Sequence, residues 1–390
     1  MEFVGVLVLI LVLTTLAGHF AQRMGVPAVV GQLLVGVILG TGGLNLVHSN
    51  ELVQTFSEIG VIILMFLAGM ESDLRLLRKY LKPSLFVAIL GVISPVLFVG
   101  SAALLLHLSL LESLFIGVIF SATSVSISVV VLKEYQTLDS KEGITILGAA
   151  VIDDVLGVLL LSMMVLLTEG SSSSLTQQIV KIVAGPLVFF GLVYLIVRWV
   201  APYLMRLTDQ LYITNSKPIM SLIICLGMAW VAEEIGLSAA IGAFFAGIAV
   251  SATDSENEIT ESIEPIGYAM FIPVFFVSVG LAVDFKNIVA DFLIIATLII
   301  LGTLTKYWGG GIGARMAGFD RLSGNVIGAG MISRGEMALI TLQIGYAEHL
   351  LSAEYYSDIV IAIVVVTILA PFMLKWTIQK QRAEQGLKEN

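Results

Sequence analysis

The chain has 390 residues, of which 58% are apolar and only 13% charged. Soluble domains do not have that balance, so a bilayer is the expected solvent. A net charge of −9 with sparse, scattered Lys and Arg excludes a nucleic-acid surface, and the single cysteine, Cys225, excludes an intrachain disulfide or a Cys-rich metal site. Met1-Glu2-Phe3 has no basic region and no cleavage signal follows it, so the first apolar stretch is expected to be a retained helix.

Apolar runs bounded by charges, Gly/Pro or polar clusters predict thirteen membrane helices. Their cores are 2–20, 27–40, 51–70, 83–107, 112–132, 143–168, 177–197, 217–235, 237–251, 262–283, 288–314, 322–347 and 356–376. The expected class is an all-α polytopic membrane protein, with the second and ninth runs short for a full crossing. Loops assigned to one side carry sixteen Lys and Arg, from Arg23 to Lys388, whereas the other side carries only Lys181 and Lys286. Positive charge marks the cytoplasm, so a multi-pass cell-membrane protein is expected with its N-terminus outside and its C-terminus cytoplasmic. One cytoplasmic loop has no base and holds Asp254, Glu256, Glu258, Glu261 and Glu264. A solvated connector and a funnel that concentrates cations are both open readings of it. Ser171–Ser174 reads as an external loop.

Val26–Gly40 aligns without gaps on Leu237–Ser251 at an offset of 211 residues, with Gly31 on Gly242, Gly36 on Gly247 and Ala28 on Ala239. The same offset places Gly69 on Gly280 and Asp73 on Asp284. Helix n then corresponds to helix n+7, and an odd shift reverses direction through the membrane. Two inverted six-helix repeats are expected, about 1–168 and 217–376, joined by a linker helix at about 177–197. Secondary transporters are built this way, with the substrate site at mid-membrane between the repeats.

Charged groups inside the spans say what such a site would carry. Asp153 and Asp154 lie in the apolar run from Gly148 to Leu167. An ionised carboxylate there costs several kcal/mol unless paired or hydrated, which makes it a functional-site hypothesis. Counting ~1.5 Å per residue from the nearest cytoplasmic base puts Asp153 at ~18 Å, Lys306 at ~14 Å, Thr123 at ~15 Å and Arg334 at ~20 Å. In a core of roughly 30 Å all four are near the middle, on four helices. Adjacent helical residues point about 100° apart, so one aspartate pairs with Lys306 and the other faces a water-filled cavity. Two carboxylates for one ammonium leave a net negative site that favours a cation or a proton.

The segment Phe120-SATSVSIS-Ser128 holds four serines and a threonine, poor helix formers whose hydroxyls compete for the backbone. A break there would offer the oxygen ligands an alkali cation needs; hydroxyls bonded to the preceding turn are the plainer reading. Ser333-Arg334-Gly335-Glu336 surrounds a glycine with opposite charges, as compensation for the ends of a broken helix or as a simple ion pair. The four histidines form no metal cluster, and Gly309–Gly318 fails the nucleotide-loop spacing. No cofactor is expected.

These residues resemble the monovalent cation:proton antiporter-2 (CPA2) family, in particular NapA-type and spore-germination-type Na+/H+ antiporters. The resemblance covers almost the whole chain and rests on Gly31–Gly36, Phe120–Ser128, Gly148–Asp154 and Lys306. It implies that Asp154 is the main ion- and proton-binding carboxylate and that Asp153 forms a salt bridge with Lys306. Thr123 and Ser124 would lie at an unwound crossing of the fifth helix, with Arg334 and Glu336 at the matching crossing of the twelfth. It further implies a homodimer and elevator-like movement of helices four to six and eleven to thirteen. The expected function is exchange of Na+, with Li+ or K+ as further substrates, for protons by alternating access. A K+/H+ antiporter and a sodium-coupled organic-anion symporter are the alternatives, and a cytoplasmic nucleotide-binding domain is not expected after Lys375.

Overall fold

The computed structural model describes residues 2–24, 26–72, 74–168, 175–208, 215–235, 237–251, 253, 256–283 and 291–386, and every regular element among them is a helix. Nine of these helices are long and apolar enough to cross a bilayer, and four shorter apolar ones accompany them. Ser171–Ser174, Asp73 and Asp284 of the repeat alignment, Asp254 of the acidic loop, and Lys286 lie outside the described residues.

Each boundary has a local cause. After α1 (Glu2–Arg23), Pro27 stands at the N-cap of α2 (Ala28–Leu39), where its missing N–H costs nothing. Asn50 caps α3 (Glu51–Met70) by accepting a hydrogen bond from Val53 N at 2.9 Å. The short α4 (Leu74–Lys79) leads into α5 (Leu81–Leu105), and Ser109 with Glu112 forms a capping box on α6 (Leu110–Ile119). Then come α7 (Val125–Glu134), α8 (Lys141–Thr168) and α9 (Leu175–Leu195), whose direction continues through a π-helical stretch, Ile196–Val200, into α10 (Ala201–Thr208). The seventh run is therefore longer than its expected core at 177–197, because Arg198 and Arg206 extend the helix where a polar loop was expected.

In the second half, α11 (Ser216–Glu234) and the thirteen-residue α12 (Ala239–Ser251) precede α13 (Glu256–Ile266). Glu258, Glu261 and Glu264, expected in a loop, repeat at the helical spacing of three on α13. Pro265 removes a donor from the ladder, which then re-registers through a π-helical stretch, Gly267–Phe271, before α14 (Ile272–Leu281). The chain closes with α15 (Phe292–Met316), α16 (Arg321–Gly330), α17 (Gly335–Ala347) and α18 (Ala353–Gly386). The last helix runs ten residues beyond its expected end at 376.

Contacts divide the chain into two compact units: residues 1–11, 50–76 and 171–276, and residues 12–49, 77–170 and 277–390. Inside the first, a Cβ on Gly69 would meet Phe244 O at 2.0 Å and one on Gly247 would meet Phe66 O at 2.1 Å, so α3 and α12 touch backbone to backbone. Inside the second, Gly36 stands in the same relation to Val277 O at 2.2 Å, and Gly280 to Leu33 O at 2.4 Å. Adding 211 to residues 33, 36, 66 and 69 gives 244, 247, 277 and 280. The same shift converts the approach of Gly31 to Ala17 O (2.6 Å) into that of Gly242 to Met228 O (2.2 Å). Small residues let membrane helices come this close, and here they do so at corresponding places.

The second unit is tied at its base-rich end by polar contacts. Ser323 Oγ lies 2.5 Å from both Glu142 Oε1 and Asp320 Oδ1, and Gln381 Nε2 donates to Glu142 Oε1 at 2.7 Å. Lys141 stands 3.7 Å from Asp320. These contacts join the first turns of α8 and α16 to the last turns of α18. On the outside of this unit Leu97, Phe98, Trp308 and Ile312 are exposed, as expected of faces that meet lipid.

Candidate ion site

Two helices stop in mid-run within the second unit. Between α6 and α7 the chain is non-helical at residues 120–124, and between α16 and α17 at residues 331–334. Both helices tighten before they end: Ser121 N donates to Val118 O (3.0 Å), and Ile332 N to Ala329 O (3.3 Å), bonds related by the 211-residue shift. Ser121 Oγ also bonds Val118 O at 2.7 Å, which gives the helix a competing partner at its end.

Each broken end is satisfied by the other. Ser124 N donates to Ser333 O at 2.9 Å, and Ser333 Oγ donates to Ser124 O at 2.5 Å. Ser128 Oγ reaches Gly330 O at 2.6 Å, and Gly335 N bonds Thr367 Oγ1 of α18 at 3.0 Å. Gly335 has φ +50°, and a Cβ there would meet Ser124 Cβ at 2.6 Å. Only glycine fits that conformation in that space. Arg334 is fully buried; Nη1 donates to Ala122 O at 3.0 Å and Nη2 to Gly302 O of α15, while its guanidinium lies 5.8 Å from the centre of the Phe120 ring. The positive charge thus compensates a carbonyl of the opposite break, not only its own helix end.

Asp153, 2% exposed, sits on α8 beside this crossing. Lys306 Nζ, wholly buried on α15, donates to Asp153 Oδ2 at 2.5 Å, and Thr123 Oγ1 donates to the same oxygen at 2.8 Å. Asp153 Oδ1 is buried with no hydrogen-bond partner among the described residues. Asp153 is therefore the aspartate that pairs with Lys306. Asp154, the next residue, is partly exposed and within electrostatic reach of Lys306. Gly91 on α5 makes room for the ammonium, since a Cβ there would be 3.4 Å from Lys306 Nζ.

The structure brings together Asp153, Thr123, Lys306, Ser124 and Arg334, with Asp154 alongside. The backbone of Glu336 is in the first turn of α17, and its side chain lies outside the described residues. Arg334 also acts electrostatically on Asp153, a positive charge that the count of two carboxylates for one ammonium had left out. Depth counting put Arg334 level with Asp153 but could not show which carboxylate it faces. Gly302 and Gly91 were not singled out from sequence; a helix carbonyl and an absent side chain leave no compositional mark.

Residues 7–380 match the family model described as "Sodium/hydrogen exchanger, transmembrane". The chain is 52% identical over 380 residues to a Na(+)/H(+) antiporter of Enterococcus hirae, covering 97% of this chain and 99% of that one. It is 42% identical over 378 residues to the Na(+)/H(+)-K(+) antiporter GerN of Bacillus cereus, covering 96% of each. The fold is similar to that of the sodium proton antiporter MjNhaP1 from Methanocaldococcus jannaschii, with a TM-score of 0.63 at 16% identity, over 96% of this chain and 97% of that one. From its matched length and these identities, the chain belongs to the sodium/hydrogen exchanger family.

Proposed function

We propose that the protein exchanges Na+ for protons across a cell membrane by alternating access, with Asp154 as the main binding carboxylate. The observation that carries this reading is a buried Asp153–Lys306 pair at two interlocked helix breaks, with a partly exposed carboxylate next to it. Dehydrated Na+ needs oxygen ligands held in place; the first break supplies Thr123 and the Ser124 backbone, and α8 adds Asp153 Oδ1. Arg334 holds the breaks together and adds a second positive charge near Asp153. A bound cation adds a positive charge to a neutral group, and release of a proton from Lys306 would restore neutrality. Protons and the cation compete for the same carboxylates, so each drives the other off.

Thirteen crossings in two inverted repeats fit the recurrence of the 211-residue shift in helix ends and glycine contacts. An N-terminus outside, a cytoplasmic C-terminus and a homodimer whose fourth to sixth and eleventh to thirteenth helices move together complete the proposal. K+ in place of, or beside, Na+ is the second reading, favoured by the similarity to GerN. The deciding measurement is proton flux driven by Na+, Li+ or K+ gradients in proteoliposomes. Flux with none of the three would overturn the reading, and flux with K+ alone would select the second.

A further inference from the structure

The helix that begins at the second break is not capped by its own residues. Arg334 holds the N-cap position of α17 without a side-chain capping bond, and its guanidinium goes to Ala122 O and Gly302 O. A helix that starts inside a membrane leaves its first N–H groups without intrahelical partners, and bulk water is not there to take them. Under the 211-residue shift Gly335 corresponds to Ser124, whose N–H is taken by Ser333 O of the facing break at 2.9 Å. The buried Gly335 N–H goes to a third helix instead, donating to Thr367 Oγ1 of α18 at 3.0 Å. Thr367 is wholly buried, and its own proton goes to Ile363 O, one turn earlier, at 2.7 Å. A hydroxyl has one proton and two lone pairs, so this back-bond fixes the rotor and leaves a lone pair for Gly335.

What this bond holds lies next to the carboxylates. Arg334 directly precedes Gly335, and a Cβ on Gly335 would meet Ser124 Cβ at 2.6 Å, so a shift of Gly335 displaces both. The same helix stands beside the second anchor of Arg334, because a Cβ on Gly302 would lie 3.7 Å from Val366 Cγ2. We propose that Thr367 is a positioning residue for ion exchange: it caps α17 from α18 and thereby sets Arg334 and the Ser124 backbone at the crossing. The 211-residue shift relates Thr367 to Leu156 of α8, and Asp153 to Val364 of α18. The two helices thus make unlike contributions, carboxylates from α8 and a capping hydroxyl from α18.

This role rests on the proposed exchange at the crossing. Thr367→Val keeps the shape of the side chain but leaves the buried Gly335 N–H without an acceptor, so that water enters or the backbone shifts. In proteoliposomes, half-saturating Na+ is expected to rise on the order of tenfold, with the maximal rate within about twofold of wild type. Thr367→Ser keeps the hydroxyl and should restore the wild-type value. A half-saturating Na+ unchanged in Thr367→Val, with only the melting temperature lowered, is what a purely structural hydroxyl gives and overturns the proposal. Equal impairment of the Val and Ser variants overturns it too. Amide exchange of the purified full chain, read by mass spectrometry over residues 331–340, should be faster in Thr367→Val and unchanged in Thr367→Ser; no local change in the Val variant contradicts the cap. Should Thr367→Val not fold, Thr367→Cys takes its place, since a thiol is a weak acceptor, and a wild-type half-saturating Na+ in that variant overturns the role. Wild type that moves no cation defeats the exchange reading and this role with it, whereas a transporting wild type with an unaffected Val variant defeats the role alone.

Discussion

Ser94 Oγ donates to the carbonyl of Thr305 at 2.6 Å, and the two residues are 211 apart. That is the shift which superposes the glycine contacts and the two helix breaks. Residues equivalent under the proposed repeat therefore touch each other between α5 and α15, as residues on a local two-fold axis must. Lys306 follows Thr305 directly. The ammonium is thus presented beside this axis, although its counterpart in the first half is Pro95, which has no charge. Under the proposed repeat, the chemistry of the paired site departs from the symmetry of its backbone.

Asp154→Asn is expected to abolish Na+-driven proton flux, because an amide neither ionises nor takes up a proton at neutral pH. Asp154→Glu should keep a measurable fraction. Flux assays in proteoliposomes with a pH-sensitive dye compare both with wild type, and near-normal flux in the Asn variant would remove Asp154 from the mechanism.

Half-saturating Na+ should rise as pH falls from 9 to 6. If one proton displaces one cation from the same carboxylates, the limiting slope is about tenfold per pH unit. A value independent of pH points to separate proton and cation sites.

Lys306→Gln tests whether the ammonium contributes a proton. Two protons per Na+ moves one net charge per cycle, worth about 2.3 kcal/mol per 100 mV. Wild-type exchange should then respond to a valinomycin-clamped potential, and the variant should either stop or lose that response. Wild-type exchange indifferent to potential would leave Lys306 as a structural partner of Asp153 only.

Gly69→Ala is expected to lower thermal stability in detergent by about 1–3 kcal/mol, since its Cβ would overlap Phe244 O. Gly227→Ala, with nothing within 4 Å, is the control and should be neutral or slightly stabilising. Equal behaviour of the two variants would argue against the close helix contact.

Asp320, exposed at the base-rich end, has its pKa lowered by the Ser323 hydroxyl and by Lys141. A carboxylate held below its unfolded value stabilises the fold above that value, and the effect is lost as pH falls through the folded one. Asp320→Asn should therefore reduce the melting temperature at neutral pH, with the difference from wild type shrinking below about pH 4. A difference that persists unchanged at pH 3 would assign the effect to lost packing.

What was legible in the sequence is what composition and spacing encode. The apolar runs located the helices, the Ser/Thr-rich stretch located one break, and counting from the basic loops put Lys306 and Arg334 level with Asp153. The pairing of Asp153 rather than Asp154 with Lys306 was not legible from spacing, because it depends on the rotation of α8 against α15. The π-helical stretches escaped because apolar runs continue through them, and the helical register of Glu258, Glu261 and Glu264 was hidden by a composition that suggests a loop.

The interlocking of the two breaks also bears on how the chain is made. Ser124 O and Ser333 Oγ are 209 residues apart, and Ala122 O and Arg334 are 212 apart. At translation speeds of roughly 5–20 residues per second, the carbonyls at the first break wait about 10–40 s in the membrane before their partners are synthesised. During that interval water or the insertion machinery has to cover them, because bare carbonyls in hydrocarbon are costly. The arrival of Ser333 and Arg334 is then the event that lets the first half become dry, so the crossing is completed as a late step of assembly.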